Sequence, residues 1–258
     1  MNDQDRNHEA ERSRPAASHR QNLMSPLAIV ASGILIAGAI VYSSGKNAPT
    51  TAGDTEAAAE RDLVGEDGTS LDRMAPVSET DHIRGNPNAP IKIVEYSDTE
   101  CPFCKKFHLT MKQVTEKYAE DGKVAWVYRH FPIDQLHQKA RKEAEATECA
   151  AELGGNDAFW AYLDRLMEVT PANDGLDPAE LPKIAKYVGL DTGKFDECLA
   201  SGKYAEKIEG HVQDAVATGG NGTPWSIVMG ADGKKYPLSG AQTATAIERL
   251  IGLASEEK

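Results

Sequence analysis

The chain of 258 residues carries 28 lysines and arginines against 40 aspartates and glutamates, a formal net charge of −12. Nothing basic is concentrated enough to follow a phosphate backbone, which excludes nucleic acid as a partner. Four cysteines in a chain this long exclude a disulfide-stapled miniature scaffold, so the fold must rest on a hydrophobic core.

In chain order, residues 1–22 are polar, with Arg6, Arg12, Arg14 and Arg20 set against Asp3, Asp5, Glu9 and Glu11. They read as a disordered cytoplasmic tail. Residues 23–42 run LMSPLAIVASGILIAGAIVY without a charge, about the length that a bilayer's hydrocarbon core requires. We expect an uncleaved transmembrane signal anchor at 23–43. The alternative is a signal peptide cleaved near Ser43, Ser44 and Gly45, which would release a secreted protein. A buried core helix fits less well, because Gly33, Gly38 and an all-round apolar surface suit lipid. Four arginines precede the span and only Lys46 follows closely. That asymmetry predicts a cytoplasmic N-terminus and an exported remainder.

Residues 44–76 read as a flexible acidic linker; the stretch 44–80 has no aromatic residue and sets eight acids against three bases. No internal repeat or heptad pattern marks it as a dimerisation stalk. A folded domain is expected over 77–258. Its first strand, 91–96, is β-branched and bounded by Pro90 and Asp98. Phe107, Met111, Val114 and Tyr118 then recur at helical spacing, predicting a helix that runs to about residue 120. A second strand follows at 124–131, ended by Pro132. The strand signal then stops. Helices are predicted at 136–153, 157–167, 178–188, 192–200 and 203–218, punctuated by Gly154-Gly155, Pro171 and Gly189, with a helical insertion at about 135–202. Strands at 225–229 and 235–238 flank an Ala231-Asp232-Gly233 turn, and a helix at 243–254 closes the chain.

Between the first strand and first helix lies Glu100-Cys101-Pro102-Phe103-Cys104-Lys105. Cys101 falls at a helix N-terminus, with Pro102 at a first-turn position that suits proline. Helix-start N–H groups and the helix dipole favour a thiolate there. Cys101 is then the attacking sulfur of a redox dithiol, and Cys104, one turn inside, the resolving one. Lys105 should favour the thiolate and Glu100 oppose it. A zinc site would need a second C-x-x-C or a Cys/His pair. Cys149 and Cys198 stand 49 residues apart with no partner beside either. Glu95 is the one charged residue on the apolar side of the strand pattern, six residues before Cys101. Burial would raise its pKa toward neutrality and suit it to proton relay; otherwise it is a partly exposed glutamate paired with Lys123.

Taken together, GNPNAPIKIVEYSDTECPFCKKF and the later Gly222-Thr223-Pro224-Trp225 resemble the two signatures of the DsbA-like branch of the thioredoxin superfamily. The resemblance spans residues 82–253. It implies an α/β thioredoxin fold with an inserted helical subdomain, preceded here by one transmembrane helix and a disordered linker. It implies that Thr223 and a cis Pro224 lie against Cys101 and, with Pro102 and Phe103, receive a client peptide, and that Glu95 shuttles the proton of Cys104. No cofactor and no metal are implied. Relatives of this type sometimes carry cysteines where Cys149 and Cys198 stand. The two are either a disulfide, worth ~4 kcal/mol in the chain-entropy account, or buried free thiols. His108, His130 and His137 match no metal-ligand spacing and are read as separate surface or strand-end residues; Phe159, Trp160 and Tyr162 are read as helix core.

The resemblance thus implies a membrane-tethered, extracytoplasmic thiol–disulfide oxidoreductase that oxidises exported cysteine-containing proteins and is reoxidised by a quinone-coupled membrane partner. Pro-Phe stands between the cysteines where strong oxidants of the family have Pro-His. That change leaves a disulfide isomerase or reductase open. The rival from another class is a non-catalytic peptide-binding or chaperone-like module, against which the intact C-x-x-C argues.

Overall fold

The computed structural model describes residues 68–255. The tail at 1–22, the expected anchor at 23–43 and most of the expected linker lie outside the described residues. Among the described residues no helix is long and apolar enough to cross a membrane.

The elements run α1 (Gly68–Leu71), β1 (His82–Gly85), β2 (Ile91–Ser97), α2 (Pro102–Lys117) and β3 (Val124–His130), then α3 (Ala140–Val169), α4 (Glu180–Tyr187), α5 (Thr192–Ser201) and α6 (Ala205–Ala217). The chain returns as β4 (Trp225–Met229), β5 (Lys235–Ser239) and α7 (Ala244–Ser255). The sheet order is β1-β3-β2-β4-β5, with β2 and β3 parallel and the other pairs antiparallel. This is a thioredoxin-like α/β fold with helices inserted between its halves. Parallel β2 and β3 cannot be joined by a tight turn, and α2 makes the crossover.

Alternation along β2 sorts its side chains. Ile91 and Ile93 enter a core with Phe107 and Met111 of α2 and with Ile247 and Leu250 of α7. Val94 and Tyr96 face the opposite side, toward Leu71, Met74, Phe131 and Ala215. Glu95 shares the parity of Ile91 and Ile93, so it points beneath α2. Each large side chain fully buried in these layers contributes about 1.5–3 kcal/mol. Leu71 and Met74 belong to the buried set, so the packed unit reaches back beyond the boundary expected near residue 77.

Two further features depart from the sequence reading. β1 was not anticipated: it is four residues long, HIRG, ends at Gly85 with φ +97°, and is too short and polar to show alternation. It is an edge strand on β3. The helix expected from residue 136 begins at Ala140, because 136–139 is held in a turn in which Leu136 and His137 N–H groups donate to the Ile133 carbonyl at 2.8 and 2.9 Å. The break expected at Gly154-Gly155 is present: within the helical run Ala140–Val169 two helices meet at a kink, where Gly155 has a non-helical φ of 74°.

The insertion has its own core, in which α3, α4 and α5 close around Tyr162, Leu166, Leu181, Ile184 and Phe195. α3 serves both cores. Phe159 and Trp160 turn toward the sheet and Tyr162 toward the insertion.

Candidate active site

Antiparallel pairing of β2 with β4 sets Tyr96 opposite Trp225. Thr223 and Pro224, just ahead of β4, therefore come level with the chain leaving β2 for α2. The Thr223–Pro224 peptide is cis. The Cys101 sulfur lies 3.5 Å from the Thr223 carbonyl oxygen, with the thiol as donor. Cys101 caps α2 in an extended conformation (φ −78°, ψ 121°), with Pro102 starting the helix. Pro102 and Phe103 are exposed beside it, Phe103 keeping 63% of its surface.

Cys101 and Cys104 are both free, and their environments differ. Cys101 is pulled down to about 6. The largest cause is a hydrogen bond from the Cys104 thiol; partial burial opposes it, and the nearby Thr223 side chain and the helix-start N–H groups of Cys104 and Phe103 add to it. Cys104 is fully buried and pushed well above the ordinary thiol range, first by burial, then by its bond to Cys101 and by the charges of Cys101 and Glu95. Its sulfur accepts the Asp98 N–H at 3.4 Å. At neutral pH the pair thus holds one thiolate, on Cys101, and one proton, on Cys104.

Beneath them Glu95 is fully buried, and neither carboxyl oxygen has a formed hydrogen bond among the described residues. Burial raises it to about 7, while the nearby Ser97 hydroxyl and Trp126 indole lower it only in part. Lys123 is not its partner; that amine pairs with Asp121 at 3.5 Å. A carboxyl group poised near neutrality and electrostatically coupled to Cys104 can give or take a proton there.

The two local charges expected to compete at Cys101 are engaged elsewhere. Lys105 donates to the carbonyls of Glu168 (3.2 Å) and Thr170 (2.5 Å). The Glu100 carboxylate is fully buried and accepts the Thr170 hydroxyl and the N–H groups of Gly175 and Leu176. Glu100 thereby fastens the segment Ala172-Asn173-Asp174, three consecutive non-glycine residues with positive φ. Behind it, burial and then the hydrogen-bonded Glu100 raise Glu143 to about 9, so Glu143 stays protonated at neutral pH.

Sequence reasoning missed the role of Asp98, which ties these parts together. Its carboxylate accepts the N–H groups of Glu100 (2.8 Å) and Ile133 (2.7 Å) and meets His137 Nδ1 at 2.9 Å. Its backbone carbonyl accepts the Cys101 N–H at 3.2 Å. The available signal was an Asp two residues before Glu100, at a strand end, where short acidic side chains commonly bond to the backbone ahead. The three histidines stay apart. His108 meets Asp164 at 2.7 Å, His130 meets Glu148 at 2.9 Å, and His137 meets Asp98. Among the described residues no group of side chains is arranged to hold a metal ion.

Cys149 and Cys198 are joined in a disulfide between α3 and α5, inside the insertion's own core. Of the two readings open from sequence, the structure takes the bonded one.

Comparison with known proteins agrees with this arrangement. A sequence-family model described as Thioredoxin matches residues 77–251. Among curated proteins the chain is 37% identical over 171 residues to Na(+)/H(+) antiporter NhaA 3 of Salinispora tropica, which is 66% of this chain and 25% of that protein. It is 33% identical over 183 residues to Na(+)/H(+) antiporter NhaA 1 of Mycolicibacterium gilvum, 69% of this chain and 28% of that protein. The chain spans about a quarter of the length of these curated relatives. Among solved structures, DsbA2 of Pseudomonas aeruginosa superposes with a TM-score of 0.60 at 25% identity, covering 70% of this chain and 97% of that one. BdbD of Bacillus subtilis, in its oxidised form, shares the fold with a TM-score of 0.60 at 22% identity, covering 69% of this chain and 95% of that one.

Proposed function

The chain belongs to the thioredoxin family, in its DsbA-like branch of thiol–disulfide oxidoreductases, and from that premise we propose that it introduces disulfides into exported proteins through the Cys101–Cys104 pair. The observation that carries this reading is the opposite polarisation of the two sulfurs: Cys101 is lowered to about 6 and Cys104 is raised.

The cycle starts with Cys101 and Cys104 bonded. A client thiolate attacks the Cys101 sulfur, the Cys101–Cys104 bond breaks, and the electron pair leaves on Cys104. The raised Cys104 takes up a proton, for which Glu95 is the nearby donor. A second client thiolate then attacks the client sulfur of the mixed disulfide and expels Cys101 as a stable thiolate. The client has lost two electrons and gained a disulfide; the Cys pair holds the electrons as thiolate and thiol. Thr223, Pro224, Pro102 and Phe103 border Cys101 and would seat the extended client. A membrane partner that accepts two electrons would restore the bond, and a signal anchor at 23–43 with the N-terminus in the cytoplasm would hold the domain outside.

Direction follows from how well the reduced state is stabilised. About 6 for Cys101 lies between roughly 7 for a reducing thioredoxin and roughly 3.5 for a strongly oxidising relative. This supports a moderate oxidant, and the isomerase or reductase reading is second because Pro-Phe lacks the donor that Pro-His supplies. Sodium–proton exchange is named for the longer relatives and is not part of this proposal.

The oxidised full-length chain should convert a reduced two-cysteine peptide to its disulfide, one peptide per chain, and in Cys104→Ser the Cys101 thiolate should attack the disulfide of an oxidised peptide, releasing one peptide sulfur as thiolate and leaving the peptide trapped on Cys101. Failure to oxidise, with Cys101→Ser behaving like the unaltered chain, would return the function to a peptide-binding module.

A further inference from the structure

The sequence leaves a gap at the dithiol, because Phe103 occupies the place where a histidine between the cysteines could donate to the thiolate. A histidine reaches the same neighbourhood by another route. The turn after β3 folds back, with the Ile133 N–H donating to the Asp98 carboxylate at 2.7 Å and the His137 N–H donating to the Ile133 carbonyl at 2.9 Å. This brings His137 Nδ1 to 2.9 Å from the same Asp98 oxygen. Asp98 in turn touches both cysteines, its carbonyl accepting the Cys101 N–H and its N–H pointing at the Cys104 sulfur. His137 is therefore one residue removed from each sulfur, on a buried carboxylate with three partners.

We propose that His137, held in place by Asp98, is the positive partner of the Cys101 thiolate and takes over the part of a histidine between the cysteines. The inference rests on the dithiol being the redox centre.

The charges around His137 favour this. Asp98 faces it from the end of β2, Cys101 from the start of α2, and Asp174 from the left-handed segment after α3. The Asp174 carboxylate is already held by the N–H groups of Gln138 and Lys139. Lys139, a cation beside it, has its amine on the carbonyls of Asp174 and Leu176. Glu143, behind Asp98, is neutral at pH 7 because it is raised to about 9. Burial works against a charge on His137, but the hydrogen bond and charge of Asp98, followed by the charges of Cys101 and Asp174, raise it above its ordinary value. Burial raises Asp98 against its three donors, and the hydrogen bond and charge of Asp98 raise His137, so the pair favours a charged imidazole beside the carboxylate.

The test is the rate at which iodoacetamide alkylates Cys101 in the reduced full-length chain, followed by mass from pH 4 to 9. His137→Gln should move the midpoint upward by about 0.5–1 unit, since a nearby opposite charge has been removed. It should weaken the oxidising equilibrium against glutathione by about three- to tenfold, a tenfold change matching one unit. His137→Lys, which keeps a cation, should restore most of the shift; a structural role would leave both variants displaced alike. An unmoved midpoint in His137→Gln, or equal displacement in both, overturns the proposal. Oxidation of a dithiol peptide by the unaltered chain, measured alongside, tests the redox reading separately: a chain that oxidises nothing yet shows the His137-dependent shift refutes that reading and leaves the charge coupling standing.

Discussion

The chain contains two cysteine pairs, and comparing them shows what makes one reactive and the other structural. Cys101 and Cys104 are three apart, straddle a helix start, and sit over a bare carboxyl group. Their neighbours separate their proton affinities. Cys149 and Cys198 are 49 apart, join α3 to α5, and lie among Ala146, Tyr162, Leu181 and Phe195. Among the described residues, the one polar side chain that meets this pair is Glu152, 3.8 Å from the Cys198 sulfur. The difference lies in position: a helix N-terminus and a buried carboxyl group give a pair chemistry, and an apolar helical core gives it only a cross-link.

The most drastic way to break the contrast is Cys101→Ser, which should abolish dithiol oxidation within the sensitivity of a peptide assay while leaving the thermal transition in place. Next is Glu95→Gln. If Glu95 supplies the proton to Cys104, the variant should oxidise a dithiol roughly a hundredfold more slowly at pH 6. It should also lack the decline expected of the unaltered chain as pH rises through about 7. Stability sharpens the same point. The folded chain holds the Glu95 proton to about pH 7, against an ordinary value of 4.5. It therefore binds more protons than the unfolded chain across that window. Stability should fall by about 3 kcal/mol as pH rises through it, and urea unfolding of Glu95→Gln should lack that fall.

Removing the other pair should give the complementary pattern. Cys149→Ala with Cys198→Ala should cost about 3–4 kcal/mol in denaturant unfolding, from the loss of a cross-link closing a loop of this length. The alkylation profile of Cys101 should not change. The smallest expected effect is at Lys105. Lys105→Ala should leave the Cys101 midpoint in place, because the amine is spent on the Glu168 and Thr170 carbonyls. A raised midpoint there would restore the balance of local charges first read from the sequence.

What was legible in the sequence followed from period and punctuation. Ile91, Ile93 and Val94 announced β2, and Phe107, Met111 and Val114 announced the buried face of α2. Pro224 was legible only through resemblance, since nothing in its own neighbours fixes the isomer. Glu95 stood out because a charge in an apolar alternation is costly. β1 stayed hidden because four residues ending in Gly85 carry no pattern. The partners of Lys105 and Glu100 were hidden for a different reason: both are bound by residues 168–176, some 70 positions away, and a neighbour in sequence was mistaken for a neighbour in space. Asp98 and His137 are 39 apart and share only the fold.

The most direct test of the account is the redox equilibrium of the Cys101–Cys104 pair in the full-length chain against glutathione buffers, read from the mass of the peptide that holds both cysteines. The intermediate stabilisation of the Cys101 thiolate predicts a potential between about −270 mV and about −120 mV, that of a moderate oxidant that donates its disulfide. A value near about −270 mV would contradict it, and would make the pair a reductant built on the same two sulfurs.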